Sequence, residues 1–331
     1  MTNNQAALYP LLFRPVLKDY VWGGRNLESI LGRELPEGKV AESWEIAAHD
    51  DGASIVTNGL YAGLTLTEVH RRLGLDLIGC HNSWAQEREK FPLLIKLLDA
   101  ADKLSVQVHP DDSYAMTHEG NELGKSEMWV ILHAEPGSEI ILGVREGIGP
   151  DRFRRGIEDG TLEQLLHRVP VATGDHICVP SGTVHAILGG IIIAEIQQNS
   201  NTTYRVYDWN RTENGHSRPL HIDKAMDVIN FNIIEPGISP AVLLEEDHSV
   251  SRWLLCRNQY FSTELVRIQP GGEFSGVLDG DSLEIWGVIS GLMNINDVTL
   301  RPVQFTLLPA ALGAYLGTTP TGATCLRTYV E

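Results

Sequence analysis

Residues 104–112 read LSVQVHPDD. Leu104, Val106 and Val108 alternate with Ser105, Gln107 and His109, the period of a strand with one apolar and one polar face. A strand that merely faced water would carry Lys, Thr or Glu on its polar side. This one carries Gln and His two residues apart and stops at Pro110. Positions i and i+2 of a strand share a face, so Gln107 and His109 point into one site.

Two stretches downstream have matching features. In GKSEMWVIL, residues 124–132, Lys125 and Glu127 are again two apart on one strand face. GDHICVPSGTVHAI, residues 174–187, has the spacing G-x5-P-x-G-x2-H on Gly174, Pro180, Gly182 and His185. One strand ends at Pro180, Pro and Gly make the turn, and the next strand begins by aiming His185 inward. That pattern is the second signature of cupin jelly rolls. The first cupin signature normally supplies His-x-His and then a Glu from the adjoining strand. Here Gln107 stands at the first His position, His109 at the second, and Glu127 follows 18 residues later.

Imidazole together with carboxylate suits Zn, Mn, Fe or Co. The candidate ligand set is therefore Gln107 oxygen, His109 nitrogen, Glu127 oxygen and His185 nitrogen, with positions left for water or substrate. Open positions mark a catalytic rather than a structural metal. Taken singly, each residue has an ordinary alternative as a hydrogen-bonded strand histidine or a solvated strand glutamate. The four together, on matching faces, carry the metal reading.

The rest of the chain is read around this site. Its 331 residues are 43% hydrophobic and 21% charged, ordinary for a globular protein, and suggest two or three domain-sized units. A formal net charge of −17 without a basic stretch argues against nucleic acid or an anionic membrane as the main partner. It leaves room for a small anionic substrate, because a few local Lys and Arg can bind phosphate. Cys80, Cys178, Cys256 and Cys325 are far apart with no C-x-x-C pair, and read as unpaired thiols of a reducing compartment. The N-terminal MTNNQAALYP lacks the basic and apolar regions of a signal peptide, and no apolar stretch approaches a membrane span. A cytoplasmic location is expected.

Short β-type runs such as SEMWVILHA, GIIIAEIQQ and TTYRVYDW, punctuated by Gly, Pro, Asn and Asp, predict a mainly β fold. We expect two cupin-type jelly-roll units with small helical insertions. Residues 1–238 form the metal-binding catalytic unit, with helical segments near 64–90 and 149–169 and a third piece after Pro219. Residues 239–331 form a cupin-like unit lacking metal ligands, since no histidine follows His248.

PLLIKLLDAADKLSVQVHPDD (92–112), GKSEMWVIL (124–132), VPSGTVHAI (179–187) and EIQQNSNTTYRVYDWNR (195–211) together resemble type I mannose-6-phosphate isomerases in their shorter bacterial form. VWGGRNL (21–27) and AESWEIAAH (41–49) add support. The resemblance implies a cytoplasmic zinc enzyme with one Zn2+ per chain, interconverting mannose 6-phosphate and fructose 6-phosphate. It places the zinc ligands on Gln107, His109, Glu127 and His185 and the active-site arginine on Arg205. It puts Lys125 beside the zinc glutamate. One departure is Asn201, where relatives commonly have Asp; an Asn cannot exchange a proton. GKSEMW also differs around the Glu, where relatives often have Thr and Cys.

Moving a proton between C1 and C2 of a sugar requires stabilising an enediolate and holding acid and base groups near both carbons. Arg205 and Lys125 are the catalytic candidates, with Lys125, Arg205 and Lys96 the visible groups for a phosphate clamp. Three other readings fit parts of the pattern: an isomerase of an unphosphorylated sugar, a metal-dependent cupin oxygenase, and a non-catalytic sugar-binding cupin. The expected partner is a small sugar phosphate, with the chain a monomer or homodimer.

Overall fold

Residues 7–212 and 215–331 are described by a computed structural model. Their contacts divide into two compact units. One comprises residues 1–16, 44–94 and 240–331, and the other residues 17–43 and 95–239. The sequence reading makes a single cut after residue 238, whereas here two N-terminal pieces group with the C-terminal residues. The reason is a non-local pairing. The strand Leu11–Arg14 pairs antiparallel with Phe305–Leu308 and with Ile55–Val56. Thr306 Oγ1 also donates to the Leu11 carbonyl at 2.8 Å across 295 residues.

The unit built on residues 95–239 contains two facing sheets. A five-stranded sheet runs in the order Leu166–Pro170, Glu139–Val144, His185–Ile187, Val106–Val108 and Tyr204–Tyr207. A six-stranded sheet runs His176–Val179, Glu127–Ala134, Ile191–Gln198, Leu93–Ala100, Glu42–Ile46 and Val16–Lys18. Between them Leu104, Ile140, Leu142 and Ile187 meet Leu98, Trp129, Ile131, Ile177 and Ile193 in one buried cluster. This is the expected mainly β jelly roll. Alternation along the strands explains the second cluster: Val106 and Val108 turn to the opposite face and pack with Phe153, Ala225 and Ile229. Phe153 comes from the helix Pro150–Glu158, and Ala225 from the helix Ile222–Val228.

The predicted helical stretches are shorter and more broken than their leucine spacing suggests. Within 64–90 there are helices at Leu66–Leu73, Leu75–Ile78 and Ser83–Glu87. Thr65 caps the first, in a capping box with Glu68, and Gly74 ends it. Within 149–169 the helix Pro150–Glu158 gives way to a short 3-10 turn, Leu162–Leu165. Residues 166–170 then form a strand against Glu139–Val144, so tertiary pairing overrides the helical look of LEQLLHRV.

The other unit has an eight-stranded sheet in the order Val242–Glu246, Val250–Arg257, Ser262–Ile268, Ala323–Tyr329, Glu284–Gly291, Phe305–Leu308, Leu11–Arg14 and Ile55–Val56. A four-stranded sheet takes Glu273–Leu278, Gly313–Thr318, Met293–Ile295 and Val298–Leu300. Val266, Trp286, Val288, Met293 and Leu300 fill the core. Both units contain a Glu-x-Trp strand start. Trp129 Nε1 donates to Glu127 at 3.1 Å, and Trp286 Nε1 donates to Glu284 at 2.8 Å. Around Glu284 the remaining partners are the Arg327 guanidinium and the Tyr315 hydroxyl.

Cys80 and Cys325 are free thiols. Cys178 and Cys256 are not; each is disulfide-bonded, against the expectation of four unpaired cysteines.

Candidate metal centre

The Val106–Val108 strand is central to the site. Its middle residue pairs with His185 on one side and Arg205 on the other. His185, Gln107 and Arg205 thus lie abreast across three antiparallel strands, where directly opposed side chains leave the same face. His109 follows two residues after Gln107. The turn after Pro180 is tied to it: Gly182 N–H donates to the His109 carbonyl at 2.9 Å. Gly182 adopts φ +83°, and a Cβ there would meet the Val228 carbonyl at 3.0 Å, so glycine is required at this close approach. Glu127 enters from the opposite sheet, in register with Val179 and Gln197.

These side chains converge out of reach of bulk solvent. His109, Glu127 and His185 are each about 1% exposed and present donor atoms within 4.8 Å of one another. His109 Nε2 lies 3.3 Å from Glu127 Oε1, and His185 Nε2 lies 3.8 Å from Glu127 Oε2. Each imidazole engages a backbone carbonyl through Nδ1, His109 with Thr202 at 2.8 Å and His185 with Thr183 at 2.9 Å. A carbonyl only accepts, so Nδ1 carries the proton and each Nε2 lone pair faces the centre, as a metal-ligating histidine requires. Burial, reinforced by Lys125, holds the His109 ring down to about 3. Burial lowers His185 as well. Both rings are therefore neutral donors at pH 7.

Burial alone would raise Glu127, but Lys125 and His109 outweigh it and hold the carboxyl well below its usual range. Lys125 Nζ is 2.5 Å from Glu127 Oε1 and 3.2 Å from His109 Nε2. Glu127 Oε1 is nevertheless a buried acceptor without a well-directed hydrogen bond. An anionic oxygen and two imidazole lone pairs aimed at one point are the donor set a divalent cation takes. Gln107 lies at the edge of this group, its amide nitrogen 3.3 Å from His185 Nε2 and its oxygen accepting from Ser105 Oγ at 3.4 Å. Turning the amide over would present the oxygen instead.

A polar cavity of about 280 Å³ opens beside these groups. Gln107, Lys125, Arg205 and Lys96 all line it, together with Asn201. Lys96 is buried, its ammonium 3.3 Å from Glu195 and 3.7 Å from Glu42. Burial would lower Lys96, but Glu42 and Glu195 outweigh it and raise it. Burial and the neighbouring Glu127 charge push Glu195 up to about 7, against the pull of Lys96. Glu42 and Glu195 thus belong to the cavity, which strand periodicity alone did not disclose. A lysine inside the apolar run LLIKLLDA was the available signal.

Arg205 sits at the other side. Its Nε donates to Ser105 Oγ at 3.1 Å and its Nη1 to the Pro219 carbonyl at 3.0 Å. Among the described residues it forms no ion pair with a carboxylate, and Glu195 faces Lys96 instead. Arg218, not anticipated from sequence, also lines the cavity and is held on Asp208 at 2.8 and 2.5 Å. The register shift between Arg205 and Tyr207 marks a bulge, which lets Tyr207 join Tyr204 on the outer face while Arg205 faces the cavity.

A two-sheet β unit with neutral imidazoles and a carboxylate buried beside a cationic cavity is a cupin-type protein with a candidate metal centre. A family model described as phosphomannose isomerase type I, catalytic domain, matches residues 11–125. The probable mannose-6-phosphate isomerase GmuF of Bacillus subtilis (strain 168) is 42% identical over 267 residues, 80% of this chain and 82% of its own length. Mannose-6-phosphate isomerase ManA of the same organism is 46% identical over 224 residues, 66% of this chain and 68% of its own. The crystal structure of the mannose 6-phosphate isomerase from Bacillus subtilis has a TM-score of 0.85 at 34% identity, covering 97% of this chain and 99% of that one. The chain belongs to the type I phosphomannose isomerases. Among the described residues no helix is long and apolar enough to cross a membrane.

Proposed function

We propose that this protein interconverts mannose 6-phosphate and fructose 6-phosphate in the cytoplasm, with one Zn2+ held by Gln107, His109, Glu127 and His185. The observation that carries the reading is the convergence of two proton-fixed imidazoles and an ionised carboxylate next to Gln107 and Lys125, which line a cavity that Arg205 also lines. When bound, Zn2+ would act as a Lewis acid for carbonyl and hydroxyl oxygens without redox side reactions.

The chain's own groups divide the remaining work. Arg205, with Arg218 behind it, supplies the positive charge for a phosphate or a developing oxyanion. Lys96, shared between Glu42 and Glu195, lines the same cavity and is a further candidate for binding the sugar phosphate. Lys125 and Glu195 are the candidates for moving a proton between C1 and C2, Glu195 because its carboxyl titrates near pH 7. Asn201 lines the same cavity and cannot exchange a proton. Trp22, Trp129, Leu98 and Ile187 give the cavity an apolar wall that limits water. Residues 239–331 contribute no ligand to this centre.

Turnover of mannose 6-phosphate by purified protein, before and after chelation and with zinc restored, tests the proposal. Activity should disappear on chelation and return with zinc, and unphosphorylated mannose should be turned over poorly. Bound zinc without turnover of the phosphorylated sugar would refute it.

A further inference from the structure

Within the other unit, Cys80, His81 and Asp281 bring a thiol, a ring nitrogen and a carboxylate oxygen within 4.8 Å of one another. All three are exposed. The two segments that carry them are clamped by backbone hydrogen bonds. Cys80 N donates to the Gly280 carbonyl at 2.9 Å, His81 N to the Asp281 carbonyl at 2.9 Å, and Leu283 N to the Ile78 carbonyl at 3.2 Å. Gly79 permits the approach: at φ +88° any Cβ would lie 2.3 Å from the Asp281 carbonyl oxygen. The donors are thus set on a fixed frame rather than on loose loops.

Two further observations concern a ligand. His81 Nδ1 is 3.1 Å from the Val330 carbonyl. That carbonyl fixes the proton on Nδ1 and leaves the Nε2 lone pair free, the same outer support seen for His109 and His185. Beside the cluster lies a cavity of about 330 Å³ whose wall includes His81, Asp279 and Asp281. Glu284 and Glu331 also line it but are engaged by Arg327 and Arg257, which leaves the Asp279 and Asp281 carboxylates to favour a cation. A tetrahedral ion with bonds of roughly 2.0–2.3 Å needs donors roughly 3.3–3.8 Å apart. Cys80 Sγ and Asp281 Oδ1 already stand at 3.5 Å.

We propose that Cys80, His81 and Asp281 form a second divalent-metal site for an ion of the zinc class, with solvent completing the coordination. On binding, the Cys80 S–H bond breaks, its proton passes to solvent, and a metal–sulfur bond forms. Nothing is oxidised or reduced. The thiolate makes this site softer than the nitrogen and oxygen set of the first unit.

That difference provides the test. Co2+ is titrated into the metal-free full-length protein and the near-ultraviolet thiolate-to-cobalt charge-transfer band is followed. Gln107, His109, Glu127 and His185 contain no sulfur and cannot produce it. The expected result is a band that saturates at one equivalent at this site, is lost in C80S, and needs roughly tenfold or more Co2+ in H81A and in D281N. No band at millimolar Co2+ would overturn the proposal. So would a band unchanged in both H81A and D281N, which would reduce the site to a lone thiol. Circular dichroism of C80S, an exposed near-isosteric change, checks that loss of the band is not loss of fold.

Discussion

Replacing Arg205 by Met separates a substrate-binding role from a structural one. The guanidinium is held by one hydroxyl and one carbonyl, at 3.1 and 3.0 Å, and among the described residues by no carboxylate. Burial and the neighbouring Arg218 charge lower its pKa, so the folded protein gains little from keeping it charged. Two neutral-partner hydrogen bonds contribute about 0.5–1.5 kcal/mol each, and removing the repulsion with Arg218 offsets part of that. The two together come to about 1–3 kcal/mol, so after that offset stability should fall by about 1–2 kcal/mol, a few degrees in Tm. Toward an anionic substrate the ledger is different. A hydrogen bond to a charged group contributes roughly 1.5–3 kcal/mol, which at about 1.4 kcal/mol per tenfold lowers kcat/KM by roughly 10- to 150-fold. The assay is isomerisation of mannose 6-phosphate with competitive inhibition by inorganic phosphate measured in parallel. The variant should lose activity and phosphate inhibition together. A kcat/KM within about threefold of the parent, or a Tm loss of some ten degrees, would refute the reasoning.

Three further outcomes are expected. Gln107→Glu adds a negative charge next to Glu127; it should keep bound zinc but lower kcat, since a neutral oxygen ligand leaves a cation more electrophilic, and undiminished turnover would sink that view. Glu127→Gln leaves Lys125 buried beside an amide and should lower both zinc content, by metal analysis, and thermal stability, with a penalty of about 3–5 kcal/mol for the broken buried pair. Glu195, raised to about 7, binds its proton more tightly folded than unfolded, so its contribution to stability is complete below about pH 4.5 and is lost as pH rises to 7. Urea denaturation across that window should show the parent falling by a few kcal/mol relative to Glu195→Gln, and parallel profiles would contradict the assignment.

Much of the site was legible because its residues obey short-range rules. Gln107 and His109 follow strand alternation, and the Pro180–Gly182 turn announces His185. The jelly-roll class likewise shows in the lengths and punctuation of the β runs. What was hidden depends on distance in the chain. Leu11–Arg14 finds its partners in Phe305–Leu308, and nothing local to either strand specifies the other. Lys96, Glu42 and Glu195 come from three strands whose burial is a property of the assembled sheet. Arg218 is a loop residue placed by its ion pair with Asp208, and loops carry no period to read. The stretch 166–170 misled because Leu166 continues the helical spacing of Leu162 and Leu165, while the edge of the Glu139–Val144 strand offers backbone partners that prevail.

The strands that start at Glu127 and Glu284 differ in what satisfies the carboxylate. Glu127 faces a set of lone pairs that a diffusible ion can fill, and Glu284 faces Arg327, a cation joined to the chain by covalent bonds. Ligand linkage applies only to the first. An ion at a hundredfold excess over its Kd adds about 2.7 kcal/mol to the fold that holds it, and a chelator removes that increment. The guanidinium is present at unit occupancy at every ion concentration. In C80S, which lacks the thiolate of the proposed second site, amide hydrogen exchange in a chelating buffer should therefore quicken around Trp129 and stay unchanged around Trp286.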